Sequence, residues 1–280
     1  NALNWDRNLD LDVYAIREHE RDMTQKGRAR GTTTLPEMRK AEVGLSVVTV
    51  IARTARPGSD ATGSACQEIS YAHAQGQLAY YRVLESQGKI RMVTDGPGLD
   101  AQLADWQAPG SDAPLGMILS MEGADPIVSP DQVGSWWDDG LRVVGLSHYG
   151  VSAYAHGTGT EGGLTDLGGP LLDAMADAGM ILDLTHLADQ AFWEAVEAFD
   201  GPVLASHNNC RALVSGGRQF TDDQLKTVIE RGGVIGAALD AWMLHEGWVK
   251  ERTQPEVVSL EAVADHIDHE CQLPGNARPA

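Results

Sequence analysis

The sequence has little positive charge, and this shortage excludes several kinds of partner. It contains 21 lysine and arginine residues against 40 aspartate and glutamate residues, a formal net charge of −19. Nucleic acid and anionic membrane surfaces would repel such a chain, so small molecules and metal cations are the expected partners. Long apolar runs are also absent: no stretch approaches the roughly 20 apolar residues of a membrane helix, so no membrane segment is predicted.

Cysteine is equally scarce. Cys66, Cys210 and Cys271 are too few and too widely spaced to predict a disulfide framework or a structural zinc site. Their odd number favours a reducing compartment, and a cytoplasmic location is therefore predicted. The chain begins at Asn1 rather than at methionine, so a signal peptide ahead of this sequence stays open as an alternative.

What the sequence does contain is a regular alternation of apolar, β-branched runs with stretches of helical periodicity. Buried strands are predicted over six runs: 44–52, 115–121, 141–146, 180–184, 202–205 and 233–239. Helices are predicted between them, over 65–87, 167–179, 187–199 and 221–231. This alternation is typical of a parallel sheet covered by helices, so the predicted fold class is α/β. No convincing linker interrupts it, and residues 1–280 are expected to form a single domain.

Local sequence features refine this organisation. Thr221, followed three residues later by Gln224, predicts a capping box at the start of the last of these helices. Residues 95–114, rich in glycine, proline and aspartate, are interpreted as a surface excursion. Residues 157–163 are interpreted as a glycine-rich, flexible loop.

Four successive predicted strands each end in a side chain that can ionise or bind a metal: Glu122, His148, His186 and His207. In a closed parallel barrel the carboxyl ends of the strands converge on one face, where such enzymes place their active sites. Each separation along the chain leaves room for one helix and its loops. Two neutral imidazoles and a carboxylate suit zinc, and a metal with an open position can generate hydroxide near neutral pH, so metal-assisted hydrolysis is the expected chemistry.

A single histidine after an apolar strand is more often a packing residue than a ligand. Independent packing roles, however, would not select the same end of every strand, so the four residues are interpreted together as a site. His266 and His269, three residues apart and flanked by aspartates, are interpreted as part of a solvated helix face. His156, in the glycine-rich region, stays unassigned. No role is predicted for three further histidines in helical or surface contexts: His19, His73 and His245.

Around these residues the chain resembles the membrane (renal) dipeptidase family, in its bacterial form. The blocks that carry the resemblance succeed one another in order: Ser120-Met-Glu-Gly-Ala-Asp125, Gly140-Leu-Arg-Val-Val-Gly-Leu-Ser-His148, Gly163-Leu-Thr165, Gly179-Met-Ile-Leu-Asp-Leu-Thr-His186, Ala205-Ser-His-Asn-Asn-Cys-Arg211, Arg218-Gln-Phe-Thr-Asp-Asp-Gln-Leu225 and Arg231-Gly-Gly-Val-Ile235. They cover about residues 115–236 without a break.

The resemblance implies a (β/α)8 barrel of the TIM type with two zinc ions bridged by Glu122, and His186 and His207 completing the ligands of one of them. It implies that His148 lies beside the substrate and either helps to polarise the scissile carbonyl or stabilises the developing oxyanion, and that Arg218 binds the substrate carboxylate. From residues alone, Arg218 would be an exposed arginine capping a loop. The implied reaction is hydrolysis of a dipeptide by a metal-bridging hydroxide, with tolerance of a D-residue at the second position. Members are often homodimers.

Two elements of the family pattern are missing. A His-x-Asp pair on the first barrel strand and an acidic residue on the eighth have no counterpart, since residues 1–18 resemble the segment after the first strand and residues 260–280 resemble the approach to the eighth. Strands one and eight are adjacent in a closed barrel, so both losses open the same seam. We therefore expect a chain truncated at both ends, and we expect these 280 residues to lack activity.

Two alternatives to a dipeptidase stay open from sequence. Another metal-dependent hydrolase on the same barrel, such as a lactonase, deaminase or cyclic amidase, usually has paired histidines on strand one and often a bridging lysine on strand four, where the visible strand ends here offer Glu122. The other alternative is a non-catalytic relative or an inactive fragment that binds metal weakly or not at all.

Overall fold

The computed structural model describes residues 6–25, 27–56 and 63–273. Its strands are β1 (Leu45–Val50), β2 (Ile90–Met92), β3 (Leu115–Glu122), β4 (Leu141–Gly145), β5 (Ile181–Asp183), β6 (Val203–Asn208) and β7 (Val234–Ala237). Its α-helices are α1 (Val13–His19), α2 (Leu35–Lys40), α3 (Gln67–Ser86), α4 (Gly96–Gln107), α5 (Val133–Asp138), α6 (Gly168–Ala178), α7 (Asp189–Ala198), α8 (Asp222–Glu230), α9 (Ala241–Leu244) and α10 (Leu260–Gln272).

All the strand pairings between these elements are parallel, and the order across the sheet is β1-β3-β4-β5-β6-β7, with β2 paired to the first residues of β3. Over the described ranges no pairing joins β1 to β7, so this sheet is open. The predicted α/β class is confirmed, and each of the six predicted strands is present. The sequence missed β2, whose three residues are too short to form a recognisable apolar run.

The core lies between the sheet and the helices that cover it. Six of the eight residues of β3 are buried, on both faces of the strand, as expected for a central strand of a parallel sheet. Large side chains from the covering elements complete the core, among them Trp136, Tyr154, Phe192 and Phe199, each fully buried. Burying a side chain of this size contributes about 1.5–3 kcal/mol to stability, so this packing holds the strand ends in place.

The sequence did not predict α4, which occupies Gly96–Gln107 within the segment interpreted as a surface excursion. Asp95 caps the helix by accepting a hydrogen bond from the backbone N–H of Gly98, and a proline lies in the first turn, where its missing N–H does no harm. The buried side chain of Gln102 then donates to the carbonyls of Gly44 and Pro114. These tertiary contacts stabilise a helix whose composition alone indicates a loop.

The capping box predicted for α8 is confirmed, since both of its hydrogen bonds are present, between Thr221 and Gln224 in each direction. Residues 157–163 form no helix or strand, although isolated bridges join Thr158 to Tyr149 and Gly157 to Leu187. Among the helices of the described ranges, none is both long and apolar enough to cross a membrane.

Candidate metal centre

The four side chains predicted at the strand ends lie together at the carboxyl edge of the sheet. Glu122 is the last residue of β3, His148 and His186 come after β4 and β5, and His207 lies within β6. Oε1 of Glu122 is 3.3 Å from Nε2 of His186, 3.3 Å from Nε2 of His207 and 3.6 Å from Nε2 of His148. The Nε2 atoms of His186 and His207 are 3.2 Å apart.

Three of these residues form a group that fits a metal ion. One ligand atom each from Glu122, His186 and His207 lies within 4.8 Å of the others. Two imidazoles and one carboxylate are the donor types that zinc takes in hydrolytic sites, where a further position stays open for water or substrate. A carboxylate oxygen and two ring nitrogens this close together form an arrangement that a bound cation would stabilise.

Burial favours the neutral form of His148 and His186. The pKa of His148 is lowered to about 3 by burial, even though the Glu122 carboxylate acts in the opposite direction. Burial likewise lowers the pKa of His186 to about 4. Burial alone would raise the pKa of Glu122, but close contacts with His186 and His207 hold that pKa well below its usual range. Neutral imidazoles beside an ionised carboxylate are the protonation states that metal binding requires.

The backbone is irregular at both candidate histidine ligands, in its φ angle at one and in its strand pairing at the other. His186 has φ of 73°, in the left-handed region that side chains other than those of glycine and asparagine rarely enter, which costs about 1–3 kcal/mol. In β6 the pairing with β7 shifts register between Ala205 and Asn208, the segment that contains His207. Gly236 allows the two strands to approach here, since a Cβ at that position would overlap the Ser206 carbonyl.

His148 lies at the open side of the group rather than within it. Its ring centroid is 4.4 Å from that of His186, and Tyr149 packs edge-on against both rings. Nδ1 of His148 is buried and has no hydrogen-bond partner within the described chain. The side chain retains 19% of its exposure, so a molecule in the cleft could reach it.

Arg218 is buried, with only 5% of its surface exposed, and is therefore not the exposed loop cap that its sequence context indicated. Its guanidinium donates to the carbonyl of His207 at 2.8 Å and to Oδ1 of Asn208 at 3.2 Å. Burial lowers its pKa, while Tyr149 and Glu122 favour the charged form. A permanently charged, planar donor group thus lies beside the strand that carries a metal-ligand candidate.

Sequence reasoning missed two residues that contact the candidate histidine ligands, Thr158 and Ser206, and a third, Asp183, that holds Ser206. Thr158 places Oγ1 2.9 Å from Nδ1 of His186, and Ser206 places Oγ 2.9 Å from Nδ1 of His207. Asp183, at the end of β5, accepts hydrogen bonds from the backbone N–H groups of Thr185 and Ser206. Ser206 and Asp183 lie in the blocks that carry the family resemblance, but no local pattern indicates that Thr158 reaches His186.

His266 was wrongly assigned to a solvated helix face, since it is only 1% exposed. Its Nδ1 accepts a hydrogen bond from the backbone N–H of Cys210, which joins α10 to the segment after β6. The neighbouring histidine of that helix, His269, pairs instead with Asp222 at 2.8 Å. These histidines lie outside the metal-ligand group and serve helix packing.

Comparisons with known proteins agree with the geometry. The model of a family described as membrane dipeptidase (peptidase family M19) matches residues 3–278. A protein of Acinetobacter calcoaceticus, known only as an uncharacterised protein in the PQQ-III 3′ region, is 30% identical over 165 residues, which are 55% of this chain and 51% of that protein. This chain therefore spans about half the length of that curated relative.

Two solved structures have a similar fold. One is described as the dipeptidase AC, a metallopeptidase; it has a TM-score of 0.75 and 22% identity, and the match covers 93% of this chain and 76% of that one. The other is a metallopeptidase from Rhodobacter sphaeroides liganded with a phosphinate mimic of the dipeptide L-Ala-D-Ala. It has a TM-score of 0.75 and 21% identity, and the match covers 94% of this chain and 80% of that one. The predicted TIM-type α/β fold is confirmed by this likeness.

Proposed function

The chain belongs to the membrane dipeptidase family, and from this premise we propose that it hydrolyses dipeptides at a zinc centre held by Glu122, His186 and His207. The observation that carries the proposal is the convergence of these ligand atoms, from three different strands, within 4.8 Å of one another. We propose further that a second zinc ion shares Glu122 and that the protein forms a homodimer, as the family resemblance implies.

A zinc ion in this group would supply a Lewis acid that polarises the scissile carbonyl and activates water. His148 is proposed to act beside it. Because burial lowers its pKa to about 3, this imidazole is neutral at physiological pH and keeps one N–H group. That N–H can donate to the carbonyl oxygen as negative charge develops there, and one such donor lowers the barrier by about 3 kcal/mol.

Arg218 is proposed to bind the free carboxylate of the dipeptide. Each terminal nitrogen of the guanidinium carries two N–H groups, and the structure uses one from each on the His207 carbonyl and on Asn208. The second N–H of each is available to a carboxylate, which a guanidinium can bind with two parallel hydrogen bonds. A substrate held in this way would have its peptide bond oriented by the same strand that carries His207.

Acceptance of a D-residue at the second position is part of the proposal. It is supported by the solved Rhodobacter sphaeroides relative, whose ligand mimics L-Ala-D-Ala.

The test is release of free amino acids from a panel of L,L- and L,D-dipeptides, with and without added zinc, alongside lactones and cyclic amides. We expect hydrolysis of dipeptides only, and its loss after chelation. The longest product of the gene that carries this sequence is assayed in parallel with the 280-residue chain. Cleavage of lactones or cyclic amides without hydrolysis of any dipeptide by either protein would reject the proposal in favour of a different metal-dependent hydrolase.

A further inference from the structure

Each candidate histidine ligand has a side-chain hydroxyl on the ring nitrogen that faces away from the proposed metal. Thr158, from the loop after β4, contacts Nδ1 of His186 at 2.9 Å, and Ser206 contacts Nδ1 of His207 at the same distance. A hydroxyl can donate one proton and accept others, so by itself it would be compatible with either neutral tautomer of the ring. The other partners of each hydroxyl remove this ambiguity.

The proton of Thr158 has an acceptor other than the ring. Its Oγ1 lies 3.2 Å from the main-chain carbonyl of His186, and a carbonyl can only accept. When the hydroxyl proton is directed to that carbonyl, its oxygen is left to accept from Nδ1–H of His186. The ring then carries its proton on Nδ1, which is the tautomer whose Nε2 lone pair, 3.3 Å from Oε1 of Glu122, can bind a cation at this group.

Ser206 is held in the same way by a different acceptor. Its hydroxyl donates to the Oδ2 atom of Asp183, whose carboxylate can only accept, and the next acceptor, Oγ1 of Thr185, is farther away at 3.4 Å. Oδ1 of Asp183 accepts from the Ser206 backbone N–H at 3.1 Å, which fixes the carboxylate in place. The Ser206 oxygen therefore accepts from Nδ1–H of His207, and Nε2 of His207 is again a lone pair.

We infer that Thr158 and Ser206 are positioning residues that fix the Nδ1–H tautomer of His186 and His207, and that Asp183 sets the direction of the Ser206 proton. Both rings thereby direct a Nε2 lone pair at the cation when it is bound. Thr158 has a second effect, since its two contacts hold both the ring and the main chain of a residue whose φ is 73°. The inference rests on the metal-binding part of the proposed function and is independent of the substrate.

The first experiment follows the Nδ1–H proton of each ring in the zinc-loaded protein, labelled with nitrogen-15 at histidine, by proton–nitrogen correlation spectra. A hydrogen bond to a hydroxyl slows exchange of this proton with water, so the wild-type protein should show both Nδ1–H signals. Thr158→Val should lose the signal of His186 alone. Ser206→Ala should lose that of His207 alone, and Asp183→Asn, whose amide can donate to Ser206 and turn the serine proton toward His207, should weaken the same signal.

The second experiment measures zinc affinity by competition with a chelating dye. Thr158→Val and Ser206→Ala should each lower the affinity about 10–100-fold, since outer-shell partners have effects of this size. Thr158→Ser keeps the hydroxyl and should restore most of the affinity. Thr160→Val is the matched control, because Thr160 belongs to the same loop but donates to the Gly157 carbonyl and contacts neither ring.

Nδ1–H signals that stay unchanged in both Thr158→Val and Ser206→Ala would overturn the inference. So would unchanged zinc affinity in both variants. Neither readout depends on turnover, so a protein that shows the expected signals and affinities but hydrolyses no dipeptide would contradict the proposed function alone.

Discussion

Arg218 is buried, although its sequence context predicts an exposed side chain, and its burial changes the role that can be proposed for it. Its sequence context, a loop before a capped helix, indicates an exposed side chain, yet only 5% of its surface is exposed. A buried guanidinium keeps its charge and needs hydrogen-bond acceptors on several sides. The His207 carbonyl and Asn208 supply some of them, so binding of a carboxylate would complete the set.

This arrangement predicts the effect of Arg218→Lys on kinetics. A lysine keeps the charge but cannot make two parallel hydrogen bonds to a carboxylate, so KM for dipeptides should rise roughly 10–100-fold with a smaller change in kcat, which corresponds to a loss of about 1.5–3 kcal/mol. Steady-state kinetics on a dipeptide and on the same dipeptide with an amidated C-terminus measure the effect. An equal loss for both substrates would contradict a role in carboxylate binding.

At the scale of elements, α4 depends on its cap. Asp95 accepts from the Gly98 N–H at 2.7 Å, and the capped helix contains glycines and a proline in its first turn. Asp95→Ala should lower the free energy of unfolding by about 1 kcal/mol, and Asp95→Ser, which can also cap the helix, should retain most of that stabilisation. Urea denaturation measures the free energy of unfolding of both variants. Asp100→Ala, at an exposed position of the same helix, is the control and should stay within about 0.5 kcal/mol of wild type.

The loop that carries Thr158 depends on Gly157. A Cβ at this position would overlap the His148 carbonyl and crowd Ser147 and Gly150. Gly157→Ala should therefore lower stability by about 1–3 kcal/mol and move Thr158 away from His186, so that zinc affinity falls as well. Gly169→Ala is the control, since a Cβ on Gly169 in α6 meets open space and alanine favours helix by up to about 1 kcal/mol. Denaturation curves and zinc titrations measure the stability and the zinc affinity of both variants. Wild-type stability and zinc affinity in Gly157→Ala would contradict this prediction.

At the scale of the whole molecule, α10 is packed against the segment after β6 through a buried carboxyl group. Burial raises the pKa of Glu270 to about 7, and the Cys210 thiol and His269 face it. Burial also raises the pKa of that thiol, which stays protonated, as expected of a structural cysteine without a catalytic role. Burial lowers the pKa of His266, whose effect on stability has the opposite pH dependence.

The Glu270 carboxyl predicts a fall in stability with rising pH. Its pKa is higher in the folded than in the unfolded chain, where it is about 4.3. The stabilisation is therefore complete below about pH 4.3 and is lost as pH rises through about 7. Glu270→Gln stays neutral and keeps an acceptor for the thiol, so its unfolding free energy should lack this pH dependence. The unfolding free energy of wild type should therefore fall relative to that of Glu270→Gln as pH rises from about 4.3 to about 7. Glu261→Gln, on the exposed first turn of α10, should show no such difference.

The sequence by itself determined the alternation of six strands with four of the helices and the position of Glu122, His148, His186 and His207 at the strand ends. These features arise from periodicity and from the geometry of parallel sheets, which are local or general properties of a chain. The α8 capping box was predictable for the same reason, because its two residues are three positions apart.

The tertiary structure alone decided the features that depend on distant partners. The helical conformation of residues 96–107, the burial of His266 and Arg218, and the hydroxyl contacts to the histidine rings each need a hydrogen bond or packing contact with another element. Thr158 and His186, for example, are 28 residues apart in sequence. The direction of a shared proton depends on the third group that each hydroxyl meets, and only the folded chain brings that group into place.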